Sequence, residues 1–269
     1  MRLFFRKILL IITVLFLKVN VFGAIVDKIE VGSKYLGRNV NVISIYPEGV
    51  DNAPVLFLLH GHGGNESSWL GIKPTLSKLS DEYGIALICP DAENSWYWDS
   101  EIQKKSKYES FFMKELLPFL GQKYGFSLDR SETAITGLSM GGHGALWLAH
   151  RYPSVFGAVG SMSGGLDLRK FKTNWNLIDL LGVYDENEDL WNKYTVATHI
   201  DDIAVANLAI IIDCGSEDFF YDVNMAFHKS LLVKKVKHDF IIRPGAHNPL
   251  YWENAIDYQL LFFYKYFKK

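Results

Sequence analysis

Ser139 stands at the centre of Gly137-Leu138-Ser139-Met140-Gly141-Gly142, a G-x-S-x-G string between an apolar run, Thr133-Ala134-Ile135-Thr136, and a helix-like run from Gly144 to His150. A serine thrust out of a sharp strand-to-helix turn is exposed for attack on a carbonyl. Its backbone there is strained, so the residues two places away on either side must lack bulky side chains. Gly137 and Gly141 meet that demand. The turn also ends at a helix N-terminus, where free N–H groups and the positive end of the dipole stabilise an oxyanion. Met140 N–H is therefore one expected oxyanion donor. The competing reading is a glycine-rich connection that carries a solvated serine.

A serine hydroxyl needs a base to take its proton, and the base needs an acid to fix its tautomer and stabilise its charged form. In the nucleophile elbow of α/β-hydrolases the chain order is serine, acid, histidine. After Ser139 the acids near the carboxyl end of a strand are Asp213, Glu217, Asp218 and Asp222. Asp218 is preferred, because it lies in the loop past the strand and can bend toward the sheet's rim; Asp213 is still within the strand pattern and reads as structural. Of the eight histidines, the order rule removes those before the acid. His228 falls inside a helix and His238 at the wrong end of the last strand. His247 alone occupies a loop at a strand's carboxyl end, and it is the candidate base.

Other chemistry-bearing residues lie near the same rim. Val55 to Leu59 is a continuous apolar run that ends in His60-Gly61-His62-Gly63-Gly64, a loop like the HGGG type that supplies a second oxyanion N–H. His62 N–H is the chosen donor, with Gly61 or Gly63 as neighbours able to replace it. His60 and His62 have no carboxylate or third histidine at ligand spacing, so no metal site is expected there. Trp96, Tyr97 and Trp98 crowd the loop after the next strand, and Trp96 and Trp98 are candidates for a substrate-pocket wall. The alternative is that these rings pack on the protein's own surface. His143, just past the elbow, reads as a helix residue without a catalytic role.

These residues need a scaffold. Alternation from Val26 to Pro47 predicts two antiparallel strands at one edge of a sheet. The runs Val55 to Leu59, Ile85 to Cys89, Thr133 to Thr136, Ala158 to Ser163, Leu208 to Cys214 and Asp239 to Arg243 read as further strands, mostly apolar throughout and so covered on both faces. Helical patterns from about Pro74 to Tyr83, Lys107 to Tyr124, Val223 to Lys235 and Leu250 to Phe267 alternate with them. The expected fold is α/β, of the α/β-hydrolase type: a mostly parallel central sheet with helices on both faces. An irregular stretch, Leu166 to Asp201, reads as a short insertion over the active site, too short and polar to be a domain.

The 269 residues suit one such catalytic domain over residues 25–269. Apolar residues at 49% and charged residues at 22% are ordinary globular usage, and a net charge of -2 gives no electrostatic case for nucleic acid. Arg2, Arg6 and Lys7 precede an apolar run from Ile8 to Leu17, and Val21-Phe22-Gly23-Ala24 supplies small residues for cleavage. This three-part pattern reads as a signal peptide over residues 1–24, too short for an ordinary membrane span, so a secreted or periplasmic protein is expected. Cys89 and Cys214 each end a predicted strand and read as two buried thiols, the alternative being a single disulfide; the strand order of an α/β-hydrolase would keep their strands apart.

Taken together, Leu58-Leu59-His60-Gly61-His62-Gly63-Gly64, Pro90-Asp91 with Ser95-Trp96-Tyr97, the elbow at 137–142, Cys214-Gly215-Ser216-Glu217-Asp218 and Gly245-Ala246-His247 resemble the esterase-D-like α/β-hydrolases. Within them, the chain resembles the family-one carbohydrate esterases and the tributyrin-type esterases. The resemblance implies Ser139 as nucleophile, Asp218 as acid, His247 as base, oxyanion N–H groups near His62 and at Met140, and no cofactor. Feruloyl and acetylxylan esterases often have Trp soon after the catalytic histidine, whereas here Asn248-Pro249-Leu250-Tyr251-Trp252 follows. The expected activity is hydrolysis of acetyl or feruloyl esters on plant polysaccharide through an acyl-enzyme. Its rivals are an S-formylglutathione-type thioesterase and a catalytically silent carbohydrate-binding protein on the same fold.

Overall fold

The computed structural model describes residues 23–50 and 52–269. The stretch read as a signal peptide lies outside the described residues except for Gly23 and Ala24. Eight strands form one sheet: β1 (Ile25–Ser33), β2 (Arg38–Tyr46), β3 (Val55–Leu59), β4 (Ala86–Pro90), β5 (Thr133–Gly137), β6 (Ala158–Met162), β7 (Ala209–Gly215) and β8 (Asp239–Arg243). Their order across the sheet is β1-β2-β4-β3-β5-β6-β7-β8. β1 pairs antiparallel with β2, and β2 with β4, while every pair from β4 to β8 is parallel.

The central strands are apolar because both faces are covered. Along β3, Val55, Phe57 and Leu59 enter one core while Leu56 and Leu58 enter the other, as the period-two geometry of a strand requires. Among the described residues ten α-helices flank or cap the sheet: α1 (Ser68–Ile72), α2 (Leu76–Tyr83), α3 (Tyr108–Phe111), α4 (Leu117–Tyr124), α5 (Met140–Arg151), α6 (Leu177–Leu181), α7 (Glu188–Tyr194), α8 (Ile200–Val205), α9 (Tyr221–Val233) and α10 (Pro249–Phe267). The first core holds residues of α3, α4, α5 and α9; the second holds residues of α1, α2 and α10. No helix among the described residues is long and apolar enough to cross a membrane.

The helix expected over 107–124 is continuous in path but widens to a π turn at Phe112–Leu116 before α4. Pro118 accounts for the change, since its ring and missing N–H do not fit the interior of a regular α-helix. The insertion is a chain of short helices, α6 to α8 with intervening 3-10 turns, and it is not a detached flap. Leu177, Leu180, Leu181, Trp191 and Val196 are buried in the first core. Cys89 on β4 and Cys214 on β7 are free and buried, with β3, β5 and β6 between their strands. Burial pushes both thiols up from their ordinary range, which leaves them inert as nucleophiles.

Candidate active site

β5 ends at the sheet's centre and turns into α5 through Ser139, whose backbone is at φ 54° and ψ -117°. That conformation is costly for a residue with a side chain and survives only because the surroundings dictate it. A Cβ at Gly141 would lie 2.4 Å from Leu59 O, and one at Gly137 would lie 2.5 Å from the Gly141 backbone. The two glycines thus let strand and helix close on each other around the serine. Farther along α5, a Cβ at Gly144 would strike the Tyr97 ring at 2.3 Å, so the glycine run also seats the helix against the core.

The acid and the base arrive on neighbouring loops. β7 ends at Gly215 and β8 at Arg243, and the two loops are tied by Ser216 N–H donating to Arg243 O and Glu217 N–H to Gly245 O, each at 2.9 Å. Asp218 is buried, accepting from Phe220 N–H at 2.8 Å and contacting His247 Nδ1 through both oxygens at 3.0 and 2.9 Å. His247 Nε2 lies 2.9 Å from Ser139 Oγ. The carboxylate fixes the proton on Nδ1, so Nε2 carries the lone pair and Ser139 O–H donates to it. Ser139, Asp218 and His247 are thereby brought together from three loops at the carboxyl ends of β5, β7 and β8.

Asp213, set aside as structural, is buried and takes a different set of partners. It accepts from Tyr251 O–H and lies 2.6 Å from Arg243 Nη2. Burial pushes its carboxyl up to about 6, against the opposing pull of Tyr251 and Arg243. Tyr251 also packs on Gly245, where an added Cβ would lie 2.5 Å from its ring. The Asp213 pair therefore anchors the start of α10 to β7 and sets the position of the His247 loop between them.

His60 donates from Nδ1 to Gly61 O at 2.7 Å and accepts from Ala92 N–H at Nε2 at 2.8 Å, so its ring fastens two loops. His62 pairs with Asn176 Oδ1 at 3.1 Å, and burial lowers its pKa. Gly61 presses on the elbow, since a Cβ there would meet Ser139 Cβ at 3.3 Å. Of the proposed oxyanion donors, Gly63 N–H is taken by Asn94 Oδ1 at 2.7 Å. Gly141 N–H donates to Leu138 O, and Gly142 and His143 N–H to Ser139 O. Met140 N–H, at the first helical position, has no carbonyl one turn behind it within the helix.

A cavity of about 350 Å³ opens beside Ser139 and His247, lined among others by Gly61, His62, Leu138, Trp175, Phe219 and Trp252. Trp96 and Trp98 are not on its wall, which corrects the expectation for both. They are 1% and 0% exposed, stacked on each other at 5.7 Å with His143 edge-on to both. The reason is the insertion: Tyr194 packs on Trp98 at 5.0 Å and Trp175 on Trp96 at 5.8 Å, giving these loop aromatics a core to join. Positive φ at Trp96 and Tyr97 turns the loop inward. Sequence reasoning missed Trp175, Phe219 and Trp252. Phe219 follows the acid directly, Trp252 follows the histidine by five positions, and Trp175 lies in the stretch read as the insertion, so position along the chain was the available signal.

A doubly covered, mostly parallel sheet with a strained serine at its centre, joined to histidine and carboxylate in that geometry, defines the class: a serine hydrolase of the α/β-hydrolase fold. The match of a family profile to residues 33–263 places the chain more narrowly, and it belongs to the Esterase family. It is 27% identical over 250 residues to an acetyl esterase of Caldicellulosiruptor saccharolyticus, covering 83% of this chain and 92% of that one. It is 24% identical over 246 residues to an S-formylglutathione hydrolase of Arabidopsis thaliana, covering 82% and 85%. A solved ferulic acid esterase superposes with a TM-score of 0.77 at 28% identity, covering 91% of this chain and 99% of that one. The chain is a serine hydrolase that acts on acyl esters.

Proposed function

We propose that this esterase is exported and removes acetyl or feruloyl groups from plant polysaccharide, with Ser139 as nucleophile, His247 as base and Asp218 as its partner. The observation that carries the assignment of roles is the unbroken hydrogen-bonded line from Asp218 through His247 to Ser139. Ser139 Oγ attacks the ester carbonyl while His247 Nε2 takes its proton, and the tetrahedral oxyanion turns toward the N–H groups of Met140 and His62. Collapse expels the alcohol, which receives the proton from His247. Water then attacks the acyl-enzyme with His247 again as base, releasing the acid and restoring Ser139.

Three features support the substrate class: aromatic walls at Trp175, Phe219 and Trp252, space of about 350 Å³ for a small or planar acyl group, and relatives named acetyl esterase and ferulic acid esterase. The N-terminal pattern of basic, apolar and small residues supports export. The likeness to an S-formylglutathione hydrolase keeps thioester hydrolysis as the second reading.

The test is hydrolysis of p-nitrophenyl acetate, methyl ferulate, acetylated xylo-oligosaccharide and S-formylglutathione by the protein and by Ser139→Ala. Removing the nucleophile lowers kcat on the order of a thousand-fold or more. Preference for the oligosaccharide or ferulate over the alkyl ester supports the polysaccharide reading, and preference for the thioester replaces it.

A further inference from the structure

At the far end of α5 from Ser139, His150, His199 and Asp202 each offer a ligand atom, and these atoms lie within 4.8 Å of one another. They line the wall of an open pocket of about 420 Å³ between the end of α5 and the start of α8. We propose that His150, His199 and Asp202 form a binding site for a divalent transition-metal ion, zinc foremost, that pins the inserted segment to the helix carrying the elbow.

Hydrogen bonding at His199 is the first ground. Its Nε2 lies 2.8 Å from Lys193 O, a carbonyl that only accepts, so the proton of a neutral ring sits on Nε2 and the lone pair on Nδ1. Nδ1 then faces Asp202 Oδ2 at 3.1 Å, one acceptor against another. Either a second proton on the ring or a cation must lie between them. An imidazole that gives its remote N–H to a backbone carbonyl and turns its other nitrogen to a carboxylate is arranged as metal-ligating histidines are.

His150 is the second and independent ground. It is 8% exposed, and its Nε2 is buried without a hydrogen-bond partner among the described residues. A polar group buried in that way is costly unless something satisfies the ring. The ring lies nearly parallel to His199, at 4.9 Å and 22°.

Distances and charge agree with zinc. Two ligands of a tetrahedral zinc at about 2.0 Å are themselves about 3.3 Å apart, close to the His199–Asp202 contact, and modest side-chain rotation closes the rest. Two nitrogens and one oxygen suit zinc, copper or nickel better than magnesium or calcium. His150 lies in the last turn of α5, where the helix dipole favours a cation. Arg151, the nearest competing charge on the pocket wall, is held by Glu109 at 2.9 Å. The cluster lies about 16 Å along α5 from Ser139, too far to take part in ester cleavage, so its effect falls on the structure.

The experiment uses tag-free protein stripped with a chelator, then titrated with zinc chloride and followed by calorimetry and thermal unfolding. The expected result is one saturable zinc per chain and a Tm that rises with zinc concentration. Asp202→Asn, at an exposed side chain, and His199→Gln should each weaken binding at least about ten-fold, while His247→Ala binds as the parent does. No saturable binding below roughly 100 µM zinc overturns the proposal. Binding unchanged in Asp202→Asn also overturns it, as does binding lost in His247→Ala alone; a protonated His199 paired with Asp202 then accounts for the contact.

Discussion

In the proposed mechanism His247 works as a base only while its Nδ1 proton points at Asp218, and the two contacts at 3.0 and 2.9 Å hold it there. Asp218→Asn keeps an oxygen for Phe220 N–H but can present an NH₂ group to the ring, which reverses the tautomer. The expected outcome is a kcat lower by about ten-thousand-fold with little change in Tm, checked by steady-state kinetics beside thermal unfolding. At this scale the sequence was highly legible. Ser139, Asp218 and His247 each follow a strand run, and chain order with loop position sufficed to single them out. Asp213 was separated from Asp218 by the same reasoning, and its partners, Tyr251 and Arg243, explain why a buried carboxylate lies so near the site without joining it.

The inserted segment reaches the site as reading the chain placed it, whereas the aromatics of the loop after β4 do not. Trp96 and Trp98 form core, while Trp175, from the insertion, lines the cavity. Two substitutions separate these roles. Trp96→Ala removes a fully buried ring and should cost about 3–5 kcal/mol of stability with KM nearly unchanged. Trp175→Ala should raise KM for an aromatic ester roughly tenfold with a smaller loss of stability. Denaturant unfolding and KM measured on both variants check the pair, and a KM effect confined to Trp96→Ala would reverse the assignment. The burial of Trp96 and Trp98 was illegible because a loop aromatic finds its environment only when a segment remote in sequence packs on it, as Tyr194 does on Trp98.

Across the whole molecule, stability should depend on pH through two histidines that fold as neutral rings. Burial pushes His143 and His150 each down to about 3. An unfolded histidine titrates near its ordinary value of about 6.5, so below that pH the unfolded chain binds protons that the folded chain refuses. The stabilisation is fully present above about 6.5 and is lost as pH falls toward 3, at up to about 1.4 kcal/mol per pH unit for each ring. Metal-stripped protein should therefore show a falling denaturation midpoint between pH 7 and 5, and His143→Gln a shallower fall. Equal slopes in the two would remove His143 as a cause.

The order of elements, the alternation of strand and helix and the three residues that meet at the elbow, Ser139, Asp218 and His247, could all be read from the chain, because each depends on local rules. A period of two or 3.6 marks strands and helices, glycines mark the elbow, and the end of a parallel strand marks a place for chemistry. Tertiary structure alone decided which aromatics line the cavity, which carboxylate anchors α10, and that His150, His199 and Asp202 meet at the end of α5. Apart from the His199–Asp202 contact, which spans three residues, those pairings join residues distant in sequence. Their contacts depend on how whole elements dock, and no periodicity or spacing along the chain encodes that.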